Sequence, residues 1–219
     1  MYGFESGGRV DQLPCFDHID KRRAVLSALL GILKTDGKTL AQVSVSEVCL
    51  ASNISRTSFY RLFSGVNDVA SWYQQYGAEL GIHRIGRTFS CFEGHLISLE
   101  LICAALPLFK EHVHWWNYEF SFPAVNSHVN AMKEVFGERG EPVTPSTLYQ
   151  FEGISYACHM TVSSWINKCC DITPREMASV LASLYPDELR RVLDKPMRPA
   201  SSGAIAELVG LIGRDITEA

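Results

Sequence analysis

The sequence predicts an all-α protein: an N-terminal three-helix unit, whose last two helices form a helix-turn-helix, followed by a longer helical body. Three observations predict it. Apolar residues recur at three- and four-residue intervals through much of the 219 residues, the period of a helix buried on one face. Nothing in the chain reads as a sheet. Helix starts are marked by capping-box spacings at Ser44-x-x-Glu47 and Thr173-x-x-Glu176, and helix stops by Asp36-Gly37, Gly137 and Gly140-Glu141-Pro142.

Residues 1–17 carry Gly3, Gly7, Gly8 and Pro14 without any period and read as a flexible arm. In residues 22–33, Val25, Leu26, Leu29, Leu30 and Leu33 form one apolar stripe, so a first helix is expected there. The second helix starts at the Ser44 cap and turns Val45, Val48 and Cys49 inward. The turn falls at Ser52-Asn53, because asparagine tolerates a left-handed backbone better than other non-glycine residues. Ile54 plugs the angle, and Ser55 caps the third helix. On that helix Phe59 and Phe63 face the core, leaving Arg56, Thr57, Ser58, Tyr60 and Arg61 outside. Arginine, hydroxyls and a phenol on one face can bond base edges and phosphate oxygens, which makes this element a candidate reader of duplex DNA. Lys21, Arg22 and Lys38 are candidate backbone contacts.

Charge agrees with that reading. The chain is −4 overall, yet residues 21–65 hold seven cations against two carboxylates and are +5, leaving −9 for the rest. Such asymmetry suits a nucleic-acid-facing unit joined to an acidic body, although a solvated basic face has the same composition.

The helix-turn-helix unit is assigned to residues 18–66 and the body to 67–219. A fourth helix is expected from near residue 67 through Trp72, Tyr73, Tyr76 and Leu80 to about residue 84. Residues 96–112 form a mostly apolar helix that Pro107 kinks or ends. Residues 124–136 make a shorter amphipathic helix. A long helix runs from Pro145 to about Asn167, with Leu148, Phe151, Ser155, Cys158, Val162 and Trp165 on a seam suited to lengthwise packing. That seam is either a subunit interface or buried within one chain. Thr173-Pro174 opens a helix over 174–193 with Met177, Val180, Leu181 and Leu184 as its stripe, and a last helix is expected over 202–212.

The run from residue 44 to 63, ending Phe59-Tyr60-Arg61-Leu62-Phe63, resembles the DNA-binding motif of tetracycline-repressor-like (TetR family) transcriptional regulators. Two positions depart from the family pattern. Asn53 replaces the turn glycine, and Val66 stands where the family usually has a lysine that starts the fourth helix and meets a phosphate. The resemblance implies a ligand-responsive repressor, a homodimer on a pseudo-palindromic operator. It implies DNA contacts from Ser44, Ser55, Arg56, Thr57, Ser58, Tyr60 and Arg61, with Lys38. It also implies dimerisation through the last long helices, 145–168 with 174–193 or 202–213, and a small-molecule effector bound between body helices. For that effector, Trp115, Trp116, Tyr118, Phe120, Cys158 and His159 are the candidate lining. An ordinary core would contain the same residues.

Other classes find less support. The sequence has no G-x-S-x-G, no H-E-x-x-H and no phosphate-cradling glycine loop, so no catalytic residue and no cofactor is expected. His112-x-His114 has a spacing for a strand in a helical context, so no metal is expected. Seven cysteines without C-x-x-C spacing or a secretory signal read as a reduced, cytoplasmic inventory. Cys169-Cys170 reads as two small hydrophobes at a helix end. No apolar run reaches the roughly 18 residues of a membrane span. The alternative to a regulator is a helical protein-interaction module with a degenerate DNA element, which Val66 favours.

Overall fold

The computed structural model describes residues 16–113, 118–201 and 203–204, the side chains of 111–122 excepted. Among the described residues there are ten α-helices and no strand. They are α1 (Ile19–Thr35), α2 (Val45–Ala51), α3 (Arg56–Leu62), α4 (Val66–Leu80), α5 (Cys91–Ala104), α6 (Leu106–Val113), α7 (Tyr118–Glu138), α8 (Pro145–Asn167), α9 (Pro174–Ser183) and α10 (Asp187–Leu193). Short 3-10 turns at Leu40–Gln42 and Ile82–Arg84 join α1 to α2 and α4 to α5. Among the described residues a buried apolar cluster runs from Val25 in α1 to Leu193 in α10. No helix among the described residues is long and apolar enough to cross a membrane.

Local chemistry sets most of the boundaries. The α1 stripe buries Val25, Leu26, Leu29, Leu30 and Leu33 as the spacing requires. Capping boxes close the N-termini of α2, α5 and α9 through Ser44/Glu47, Ser90/Glu93 and Thr173/Glu176. Pro107 ends the helix that precedes it: α5 stops at Ala104, and the proline takes the second position of α6, where its missing N–H leaves no carbonyl unpaired.

Two expectations are corrected. The segment expected as one helix over 174–193 is two, because Pro186 disfavours helical backbone at Tyr185 and caps α10 instead. The helix expected from Ala124 starts at Tyr118 and carries Pro123 inside it. The α8 seam, left open between a subunit interface and burial within one chain, is mostly buried within the chain. Phe151, Ser155, Cys158 and Trp165 are buried within the chain, where α8 packs along α7 and against α6. The helix expected over 202–212 and most of the expected arm lie outside the described residues.

Cys169 and Cys170 follow α8 in left-handed backbone (φ 60° and 55°), with Cys169 exposed. Their N–H groups donate to the Ile166 and Trp165 carbonyls at 2.9 Å, and Trp165 Nε1 donates to the Ile172 carbonyl at 3.0 Å, which folds the connection onto the end of α8.

The crossing of α4 and α5 is set by two glycines. A Cβ at Gly81 would lie 2.4 Å from the Gly94 carbonyl oxygen and 2.4 Å from Ser98 Oγ, and one at Gly94 would lie 2.4 Å from Ile85 Cγ1. Ser98 Oγ then donates to the Gly77 carbonyl at 3.0 Å and ties α5 to α4. Gly81→Ala is expected to destabilise the fold by ~1–3 kcal/mol, because backbone must move to admit the methyl. Gly31→Ala in α1, where the added Cβ meets nothing within 4 Å, is expected to be neutral or to stabilise by up to ~1 kcal/mol. Urea unfolding of the two variants checks the contrast.

Candidate nucleic-acid interface and internal cavity

The helix-turn-helix is built from short-range bonds. Ser44 Oγ accepts from Glu47 N–H at 3.2 Å while Ser44 N–H donates back to the Glu47 carboxylate at 2.8 Å. After α2, Asn53 takes the left-handed backbone (φ 53°), and Ile54 N–H returns to the Cys49 carbonyl at 3.1 Å. Ser55 Oγ accepts from Ser58 N–H at 3.1 Å and caps α3. Phe59 and Phe63 are fully buried, so α3 is pinned by one face. The opposite face presents Arg56, Thr57, Tyr60 and Arg61 to solvent, Tyr60 at 52% exposure.

The remaining residues expected to meet DNA are placed differently. Ser44 and Ser55 serve as caps, and the half-buried Ser58 hydroxyl lies 3.0 Å from Ser55 Oγ. Lys38 is ion-paired with Glu47 and stands 3.9 Å from Asp36. The Lys38 ammonium, with Ser44, holds the Glu47 carboxyl at about 2. Arg22 lies over the Phe63 and Trp72 rings at 4.8 and 5.6 Å, and its Nε donates to the Asp17 carbonyl. Lys21 is exposed. Val66 is buried at the start of α4, and Asp68 in that first turn accepts from Ser64 N–H at 2.9 Å. A carboxylate therefore occupies the α4 N-terminus, where helix-dipole charge would otherwise favour a phosphate.

Behind this unit, a cavity of about 530 Å³ lies among α4, α5, α6, α7, α8 and α9. Cys158 and His159 are among its lining residues. Trp115 and Trp116, and the side chains of Tyr118 and Phe120, lie outside the described residues. The wall is mostly apolar, with Tyr73, Leu99, Ile102, Phe109 and Val162 among its residues. Among the described lining residues there is no lysine, arginine, aspartate or glutamate.

A polar chain that sequence reasoning missed runs along one side. The Tyr185 hydroxyl lies 3.0 Å from His95 Nε2 and 3.0 Å from His128 Nε2, with Cys158 Sγ 3.9 Å from His95 Nε2. One hydroxyl proton serves two imidazoles, so Tyr185 donates to one ring and accepts from the other, and the two histidines hold opposite tautomers. Burial brings His95 down to about 4, lowers His128 well below its ordinary value, raises Tyr185 and pushes Cys158 up to about 12. All four groups are therefore neutral at neutral pH. The legible signal was His95 inside the apolar run of α5; its partners are 90 residues away and, from Tyr185, 57 away. At the cavity edge His83 places Nδ1 3.0 Å from Glu79 and Nε2 2.9 Å from Ser127 Oγ. Ser155 Oγ, in a residue 2% exposed on the cavity wall, has no hydrogen-bond partner among the described residues.

Aromatic contacts connect the cavity to α3. The Tyr73 ring lies 6.0 Å from Phe109 and stacks on Tyr76 at 6.1 Å; Tyr76 stacks on Trp72 at 5.6 Å, and Trp72 meets Phe63 edge-on at 5.8 Å. Phe63 is the residue that closes α3. Arg23 in α1 donates to the Tyr76 hydroxyl at 2.8 Å.

No protein-family model matches the sequence, and no curated protein matches it. The fold is similar to that of a solved chain described as the dihydroxyacetone kinase operon activator DhaS. The TM-score is 0.60 at 14% sequence identity, over 80% of this chain and 99% of that one.

The buried histidines make stability depend on pH. His95 and His128 remain unprotonated in the folded chain below the ordinary histidine value of 6.5, whereas the unfolded chain takes up those protons. Stability is therefore expected to fall as pH drops from about 6.5 towards 4, by up to ~1.4 kcal/mol per pH unit for each histidine. His128→Gln keeps a hydrogen-bonding group for Tyr185 without a titrating ring, and should flatten this slope in urea unfolding curves taken between neutral pH and about pH 5. An unchanged slope would refute the assignment.

Proposed function

We propose that this chain is a DNA-binding transcriptional regulator whose affinity for its operator falls when a small molecule fills the cavity. In this reading residues 18–66 read DNA and residues 67–219 bind the effector and join two copies. The observation that carries it is the α3 surface: a helix fixed by Phe59 and Phe63 from within, offering arginine, hydroxyl and phenol outward at the end of a left-handed turn. Fold likeness to an operon activator agrees with it. Base and phosphate contacts fall to Arg56, Thr57, Tyr60 and Arg61. Ser44, Ser55, Ser58 and Lys38 hold the two helices in place beside them. Helix α4 is the element shared by both halves, so its aromatic face is the proposed carrier of the effector's influence.

Dimerisation is assigned to the outer face of α8 and α9. Tyr149 (75% exposed), Tyr156 and Met160 (63% exposed) follow one another along α8, and Val180 on α9 and Leu184 at its C-terminal cap are four residues apart, all open to solvent. Exposed large apolar residues gathered on two helices are the usual mark of a contact surface. A two-fold pair of readers would meet half-sites about 34–36 Å apart on one face of the duplex.

A second reading, a helical interaction module with a degenerate DNA element, is favoured by Val66 buried and Asp68 placed at the start of α4. Selection from random duplexes separates the two. The regulator reading expects an enriched pseudo-palindrome, bound with an affinity that falls steeply with salt, each neutralised phosphate adding about −0.9 to the log–log slope. Arg56→Ala should relax one base position, at ~1–3 kcal/mol. Recovery of no enriched site decides for the interaction module. Met160→Glu, on a residue with no buried role, should lower dimer content in sedimentation and weaken operator binding together. A wild-type chain that stays monomeric at micromolar concentration would contradict the interface.

A further inference from the structure

Among the described residues, every charge that could meet a ligand in the cavity is neutral, paired or absent. No lysine, arginine, aspartate or glutamate lines the wall among the described residues. His83, at the rim, already faces Glu79 through Nδ1 and Ser127 through Nε2. His95 and His128 are closed on Tyr185, and burial lowers the basicity of both, as it does for His159. A carboxylate or ammonium entering here would lose its water without gaining a counter-charge, a cost of several kcal/mol.

The wall nevertheless has a polar demand that the described residues do not meet. Ser98 Oγ donates to the Gly77 carbonyl and Ser127 Oγ bonds His83, but Ser155 Oγ is buried with no hydrogen-bond partner among the described residues. A buried hydroxyl left without a partner is costly, and a ligand oxygen would meet its need. The volume of about 530 Å³ falls inside the ~300–1,000 Å³ range of pockets that enclose drug-sized molecules.

We infer that the cavity takes an uncharged, largely apolar molecule bearing a hydroxyl or carbonyl group, and that this group bonds Ser155 Oγ while the rest of the molecule packs against Tyr73, Leu99, Phe109 and Val162. The inference rests on the ligand-responsive reading above and names the chemical class that reading leaves open.

The test uses the full chain at neutral pH, with N-phenyl-1-naphthylamine, an uncharged fluorophore, as the reporter of the cavity. Competitors share one skeleton: 2-naphthol, 2-methylnaphthalene, 2-naphthoate and 2-naphthylmethylammonium. The neutral pair should displace the reporter at concentrations at least ~100-fold below those needed for either ion. 2-Naphthol should bind about 2- to 12-fold more tightly than 2-methylnaphthalene, a preference that Ser155→Ala abolishes. The comparison of neutral with charged competitors needs no variant and stands whatever Ser155→Ala does to folding. Equal or tighter binding of either ion overturns the assigned ligand class and leaves the cavity as a ligand site. A naphthol preference that survives in folded Ser155→Ala overturns the role of Ser155. If the reporter shows no binding at all, the inference and the ligand-responsive half of the proposed function fall together, while duplex binding, measured separately, is untouched.

Discussion

The aromatic face of α4 is the constraint on which the rest depends. Trp72, Tyr73 and Tyr76 are all buried, and each meets a different neighbour: Phe63 at the end of α3, Phe109 in α6, and Arg23 in α1. Rings of this size dominate core energetics, and offset or edge contacts add to plain burial. A rotation or slide of α4 would therefore disturb the seat of α3 and the cavity wall together. The glycine crossing with α5 leaves little freedom for the C-terminal end of α4, so movement there would have to be shared with α5.

Electrostatics divides the molecule in a second way. Much of the positive charge near the N-terminus is already committed: Lys38 to Glu47, Arg22 to the Phe63 and Trp72 rings, and Arg23 to Tyr76. Under the proposed function, α3 would offer a duplex a small number of exposed groups, the situation in which two-fold pairing of readers adds most to affinity and specificity. The body follows the opposite rule. Its buried polar chain, His95, Tyr185 and His128, is arranged so that its members bond one another while uncharged, which is how a low-dielectric interior tolerates polar side chains.

The parts of the fold that were legible in the sequence are those set by near neighbours. Ser44, Asn53 and Ser55 act within three or four residues of themselves, so the helix-turn-helix could be placed from spacing alone. The α1 stripe and the N-terminus of α8 followed for the same reason. Periodicity gives a helix its apolar face but not the identity of whatever covers it, and so the α8 seam was open between a second copy and α7. Pro186 was passed over because Met177, Val180, Leu181 and Leu184 continue the rhythm up to the break. In the candidate cavity, Cys158 and His159 were reachable from their place in that seam. His95, His128 and Tyr185 were not, because what distinguishes them is contact across long sequence separations; Ser155 stood on the seam, but its lack of a partner arises only on folding.

The central claim is that cavity and DNA-reading helix share α4, and thermodynamic reciprocity tests it directly. The affinity of the full chain for its selected duplex should be measured with and without a saturating neutral naphthalene ligand, and the ligand's affinity with and without the duplex. The account predicts that each weakens the other by the same factor, roughly 5- to 150-fold. Duplex affinity that is unchanged while the cavity is full would contradict it.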